Sequence, residues 1–128
     1  MAQMRQAHSF YGLDHVQLAA PRGCEPQARQ FFGDILGMEE IAKPEDLRTR
    51  GGVWFRCGLQ QIHIGVEENF SSAKKAHPAI HVKRLSVLKE SLAEHQIPVQ
   101  DDELLPGADR FYVADPFGNR LEFLEWRL

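Results

Sequence analysis

Apolar and polar residues alternate over residues 13–20, LDHVQLAA, a strand pattern that sets Asp14, Val16 and Leu18 on one face and His15 and Gln17 on the other. Pro21 and Gly23 end it, and the period then changes. In CEPQARQFFGDILG, Ala28, Phe31, Phe32, Ile35 and Leu36 recur at helical spacing; Glu25 and Pro26 suit a first turn, and Gly37 suits the position just past the last one. A short strand at MEEIA and a loop over residues 43–52 lead to VWFRCG and QQIHIGVE, alternating runs joined by a tight turn at Gly58, which predict a β-hairpin. Residues 68–76 are polar and aperiodic, and after them the order starts again. HPAIHV reads as a strand, RLSVLKESLAEHQ as a helix with Leu85, Leu88 and Leu92 in one stripe, and IPVQ as a short strand before a loop at 101–109. RFYVAD and RLEFLEW, around the turn PFGN, form a second hairpin at the same relative place as the first. The β-α-β-β-β unit is therefore read twice, over about residues 12–67 and 77–126, which predicts one α+β domain spanning 1–128 in two pseudo-symmetric halves.

Composition changes this picture only by exclusion. With 128 residues, 43% hydrophobic and 26% charged, the chain is long enough to bury a core unaided and has no disordered or fibrous bias. A net charge of −3 with scattered Lys and Arg offers no basic stripe for a phosphate backbone and no polybasic membrane patch, so neither nucleic acid nor membrane is an expected partner. The opening MAQMRQAHSF has no apolar run of signal-peptide length, and no run approaches a bilayer span, so a cytoplasmic location is expected. Cys24 and Cys57 lack the spacing of a metal or redox motif and fit reduced thiols there.

Comparing the halves brings titratable residues into register. His15 lies in the first strand of one half and His77 opens the first strand of the other; His63 lies in the last strand of one and Glu122 in the last strand of the other. The intervals are 48 and 45 residues. In QQIHIGVE, Ile62, Ile64 and Val66 point one way and Gln61, His63 and Gly65 the other; in NRLEFLEW, Leu121 and Phe123 oppose Arg120, Glu122 and Leu124. One face of each sheet is then apolar, for helices outside, and the other mixed, around a polar concavity. Three imidazoles and a carboxylate there would suit a divalent ion, with Glu122 also placed to act as a general base and Tyr112 to donate a hydrogen bond. His81, two residues beyond Ala79, is a further candidate for the pocket; His8 and His95 read as surface groups, and Glu125, Arg127, Lys74 and Lys75 as solvated charges. Against this stands the plainer reading of His63 as a hydrogen-bonded structural histidine and of Trp54, Phe55 and Phe111 as core.

The motifs LDHVQLAA, FFGDILGM, QIHIGVE, HPAIHV and FYVADPFGNRLEFLE together resemble the vicinal oxygen chelate superfamily, over about residues 12–126. That group holds glyoxalase I, bleomycin-resistance proteins, fosfomycin-resistance thiol transferases, methylmalonyl-CoA epimerases and extradiol dioxygenases. The resemblance implies paired βαβββ modules in a curved mixed sheet around a cup-shaped site. It implies metal ligands at His15, His63, His77 and Glu122 for Zn, Ni, Mn or Fe, and a small substrate with two neighbouring oxygens. It also implies a homodimer with sites at the module interface, in which first-half ligands of one chain can meet second-half ligands of its partner.

Among subfamilies, glyoxalase-like lyase or isomerase chemistry is the favoured expectation. Bacterial glyoxalase I usually has glutamate where this chain has His63, and its glutathione-binding arginine and asparagine are matched by Ala19 and Glu67, which argues against a glutathione hemithioacetal. Fosfomycin thiol transferases match at His15, His77, Glu122 and Tyr112 but continue into a C-terminal tail with a further arginine. Fe(II) extradiol dioxygenases use the same two-histidine, one-glutamate set on longer chains. Bleomycin-binding members generally lack the ligands and hold a flat drug by stacking, for which Trp54, Phe55 and Phe111 are the available aromatics. The loops at 43–52 and 101–109 are expected to shape the pocket.

Overall fold

The computed structural model describes residues 7–128; the segment MAQMRQ, read above for its lack of an apolar run, lies outside them. Strands β1 (His15–Ala20), β2 (Glu40–Ile41), β3 (Val53–Cys57) and β4 (Gln60–Val66) form one sheet in the order β1-β4-β3-β2. Strands β5 (Ala79–His81), β6 (Gln100–Asp101), β7 (Ala108–Ala114) and β8 (Arg120–Trp126) form a second in the order β5-β8-β7-β6. In each sheet the first strand runs parallel to the fourth and the other pairs are antiparallel, so the repeat seen in the sequence is a repeat of topology. The crossovers between the parallel strands contain the helices, as parallel pairing requires.

Helix α1 begins as an α-helix over Glu25–Ala28 and continues as a π-helix over Arg29–Ile35. Its wider winding shows in the bond Leu36 N–H to Phe31 O, of 2.9 Å, which spans five residues where an α-helix spans four. The neighbouring Phe31 and Phe32 are both buried, ring edge to ring face at 4.9 Å. A strict α-helical period would have separated them further around the axis. Helix α2 (Leu85–Glu94) buries Leu85 and Leu92, with Leu88 packed against the same core. Phe32, Phe55, Ile64, Leu92, Phe111, Leu121 and Phe123 lie in one continuous core that draws on both halves. Burial of this kind supplies most of the folding free energy, at about 25 cal/mol per Å² of apolar surface. Phe55 and Phe111 are thus core residues, as their plainer reading had it.

Two local features depart from expectation. His77 precedes its strand, because Pro78 has no N–H to donate to a ladder; pairing begins with the bond Glu122 N–H to Pro78 O at 3.0 Å. Glu125, expected to be an ordinary solvated charge, accepts the backbone N–H groups of Arg84 and Leu85 at 2.9 and 3.1 Å. It caps α2 from another strand, since Arg84 sits in the left-handed region (φ 57°) and makes no side-chain cap itself.

The turn of DPFGN joins the halves. Asp115 is buried and accepts the N–H groups of Phe117 and Asn119, while the Asn119 amide donates to Asp115 Oδ2 at 2.9 Å and across to Ala19 O at 2.7 Å. Burial raises the Asp115 carboxyl above its ordinary value, opposed by these donors. Among the described residues no helix is long and apolar enough to cross a membrane.

Candidate functional site

Residue pairing shows how far the two halves match. His63 on β4 faces Gln17 on β1 and Trp54 on β3; Glu122 on β8 faces Ala79 on β5 and Tyr112 on β7. His15 is two residues before Gln17, and His77 two before Ala79. Each half therefore holds, on its polar face, a histidine at the outer strand, a titratable group on the next strand and an aromatic ring on the one after that.

In the first half the three form a stack. The His63 ring lies between Trp54, at 3.7 Å and 3°, and His15, at 4.0 Å and 15°. His63 is only 4% exposed, and burial, with the nearby His15 second, holds its imidazole below the ordinary value. Its Nε2 donates to Gln61 Oε1 at 2.8 Å, which leaves Nδ1 with the lone pair. His15 Nδ1 donates to Asp14 Oδ1 at 2.8 Å, which leaves Nε2 with the lone pair.

In the second half His77 Nδ1 is 2.8 Å from the carbonyl oxygen of Lys75, which can only accept. The proton is therefore on Nδ1, and the Nε2 lone pair faces Glu122 Oε1 at 3.0 Å. Two electron-pair donors pointed at each other call for a cation between them, either a further proton or a metal ion. Donors bound at about 2.1 Å to one ion lie about 3.0 Å apart in octahedral and about 3.4 Å apart in tetrahedral coordination, so the spacing is close to what a metal ion needs as well as to a hydrogen bond. The other carboxylate oxygen, Glu122 Oε2, takes Arg110 Nη1 at 3.4 Å, and Arg110 Nη2 reaches Asp102 at 3.1 Å. Tyr112, 8% exposed, sets its ring edge-on to His77 at 5.3 Å and beneath the Arg120 guanidinium at 3.9 Å. Its hydroxyl makes no hydrogen bond among the described residues.

The four candidate ligands are thus two pairs and not one quartet within the chain. Among the described residues no group of three His, Cys, Asp or Glu side chains could hold an ion. The physical reason is the sheet order: β1 and β5 are each the outer strand of a separate sheet, so the pair on β1 and β4 and the pair at β5 and β8 belong to different sheets. His81 faces the same side as Glu122 but lies opposite Leu124 and is exposed; it joins neither pair. His8 and His95 are exposed, and burial raises both thiols, so neither Cys24 nor Cys57 is activated. Sequence reasoning missed Gln61, Asp14 and Arg110. Alternation could have put Arg110 on the face of Tyr112, but not the contacts that it makes.

No family model and no curated protein matches the chain. Solved structures do. A glyoxalase family protein from Bacillus anthracis is 55% identical over 95% of this chain and 100% of its own, with a TM-score of 0.93. A lactoylglutathione lyase from Agrobacterium tumefaciens has the same fold at 21% identity, covering 92% and 96%, with a TM-score of 0.73. So does a genomically encoded fosfomycin resistance protein from Listeria monocytogenes, at 16% identity over 94% and 97%, TM-score 0.74. Repeated βαβββ topology and extensive identity to a family member lead to one conclusion: the chain belongs to the glyoxalase family, within the vicinal oxygen chelate superfamily.

Proposed function

We propose that the protein is a metal-dependent enzyme of the glyoxalase type, a lyase or isomerase acting on a small molecule with two neighbouring oxygens. The observation that supports this most is the pair of facing donors, His77 Nε2 and Glu122 Oε1, 3.0 Å apart with the His77 proton fixed on the opposite nitrogen. The donors that would complete the set are His15 Nε2 and His63 Nδ1, both left with lone pairs by their hydrogen bonds. In a homodimer the first-half pair of one chain would complete the second-half pair of its partner. Exposed His15 and the open outer edges of β1 and β5 are what such an arrangement needs.

Zn, Ni, Mn or Fe fits three imidazoles and one carboxylate, and such an ion, held by these residues, would supply Lewis-acid polarisation of a substrate oxygen. Glu122 takes up and returns a substrate proton. Arg110 keeps its carboxylate oriented from the Oε2 side, with Oε1 turned toward His77. Asp14 and the Lys75 carbonyl fix the tautomers of His15 and His77. The Tyr112 hydroxyl is available to hydrogen-bond the substrate.

Elemental analysis after incubation with each metal is the first test, with about one ion per chain expected in the wild type. A Glu122→Gln enzyme should keep its circular dichroism and lose about 10²–10⁴-fold of any isomerase or lyase turnover found for the wild type. Undiminished turnover would remove Glu122 from the mechanism.

A further inference from the structure

Beside the second-half pair lies a cavity of about 570 Å³, lined among others by Lys74, Gln100, Tyr112 and Arg120. Its lining includes two cationic side chains and no carboxylate, in a chain whose acidic residues outnumber its basic ones, 18 to 15. Glu122 and Asp102 are both taken by Arg110, and Arg120 makes no hydrogen bond or ion pair among the described residues.

The Arg120 guanidinium instead lies over the Tyr112 ring, its central carbon 3.9 Å from the centroid. Stacking of this kind fixes the plane of the guanidinium while leaving its N–H edge free, the arrangement that suits bidentate capture of an oxyanion. Arg120 is two residues before Glu122 on the same face of β8, so the two Cα atoms are about 7 Å apart. We infer that Arg120, assisted by Lys74, is the subsite for an anionic end of the substrate, a carboxylate or a phosphonate carried a few bonds from the two neighbouring oxygens. The inference deepens the proposed function and rests on it for the position of the reacting end.

Calorimetric titration of zinc-loaded protein with hydroxamates, which share one chelating head, tests the subsite. Pentanohydroxamate has a neutral tail, succinic monohydroxamate a carboxylate at similar length, and a third probe its phosphonate counterpart. An anionic tail should tighten binding about ten-fold or more in the wild type. Arg120→Met should abolish that preference and leave the neutral probe bound as before, while Arg120→Lys should retain part of it. Which of the two anionic tails binds tighter identifies the group. Equal affinity for neutral and anionic tails in the wild type, or a preference that survives in Arg120→Met, would overturn the assignment.

Should the protein hold none of the four metals and bind no hydroxamate, the proposed function fails, and the subsite is judged by itself. The Arg120 Nε–H signal in ¹⁵N NMR, identified by its absence from Arg120→Met, is then followed on addition of succinate or methylphosphonate to metal-free protein. A saturating millimolar shift sustains the subsite; no shift with either overturns it.

Discussion

A backbone carbonyl decides what His77 can do. With Nδ1 donating to Lys75 O, the ring presents Nε2 to Glu122, a pairing that needs a proton or a metal ion between the two. That His15 would lie by His63 and His77 by Glu122 was legible in the sequence, because matched intervals and matched faces singled them out. The hydrogen bonds that hold them were not, since alternation sets Gln61 on the face of His63 but does not say that its amide reaches the ring, nor that Asp14 and Arg110 reach His15 and Glu122. Asn119 is a similar case: nothing in PFGN announces that its amide reaches Ala19, a hundred residues away. Loss of both amide bonds in Asn119→Ala should destabilise the protein by about 1–3 kcal/mol, measured by urea unfolding, because a buried carboxylate and carbonyl each lose a donor. An unchanged midpoint would mean that the turn does not hold the halves together.

At the scale of elements, periodicity recovered every strand and the helices α1 and α2 but not their ends or their winding, and the loop at 43–52 holds a 3₁₀ helix over Glu45–Arg50. The π-helix at Arg29–Ile35 arises because two adjacent phenylalanines are both drawn into the core, a tertiary demand that propensity does not express. The cap of α2 was equally invisible, because Glu125 lies 40 residues from the Leu85 N–H that it accepts. Those backbone donors hold its carboxyl below the ordinary 4.5. A carboxyl lowered by folding contributes stability that is present above its unfolded value and is lost as pH falls through the folded one. Wild type should therefore be more stable than Glu125→Gln near neutral pH, and the gap should close well below pH 4.5. A gap that persists in acid would show that the cap does not depend on charge.

For the whole molecule, the repeat read from the sequence is realised as two sheets sharing one core, and the expected quartet as two separated pairs. A one-chain sequence could show which residues match but not which copies meet, since that depends on surfaces brought together between chains. In the proposed function each ion is held by His15 and His63 of one chain with His77 and Glu122 of another. Metal content after mixing two inactive variants tests it most directly. His15→Ala and Glu122→Ala are each purified, unfolded together, refolded and loaded with zinc. Separately, each should bind little, because both of its sites lack one ligand. In a mixed dimer one site loses both residues and the other keeps all four, so mixing should restore about one tightly bound ion per mixed dimer. If mixing restores none although the wild type binds zinc, the ligands do not come from two chains and the account is contradicted.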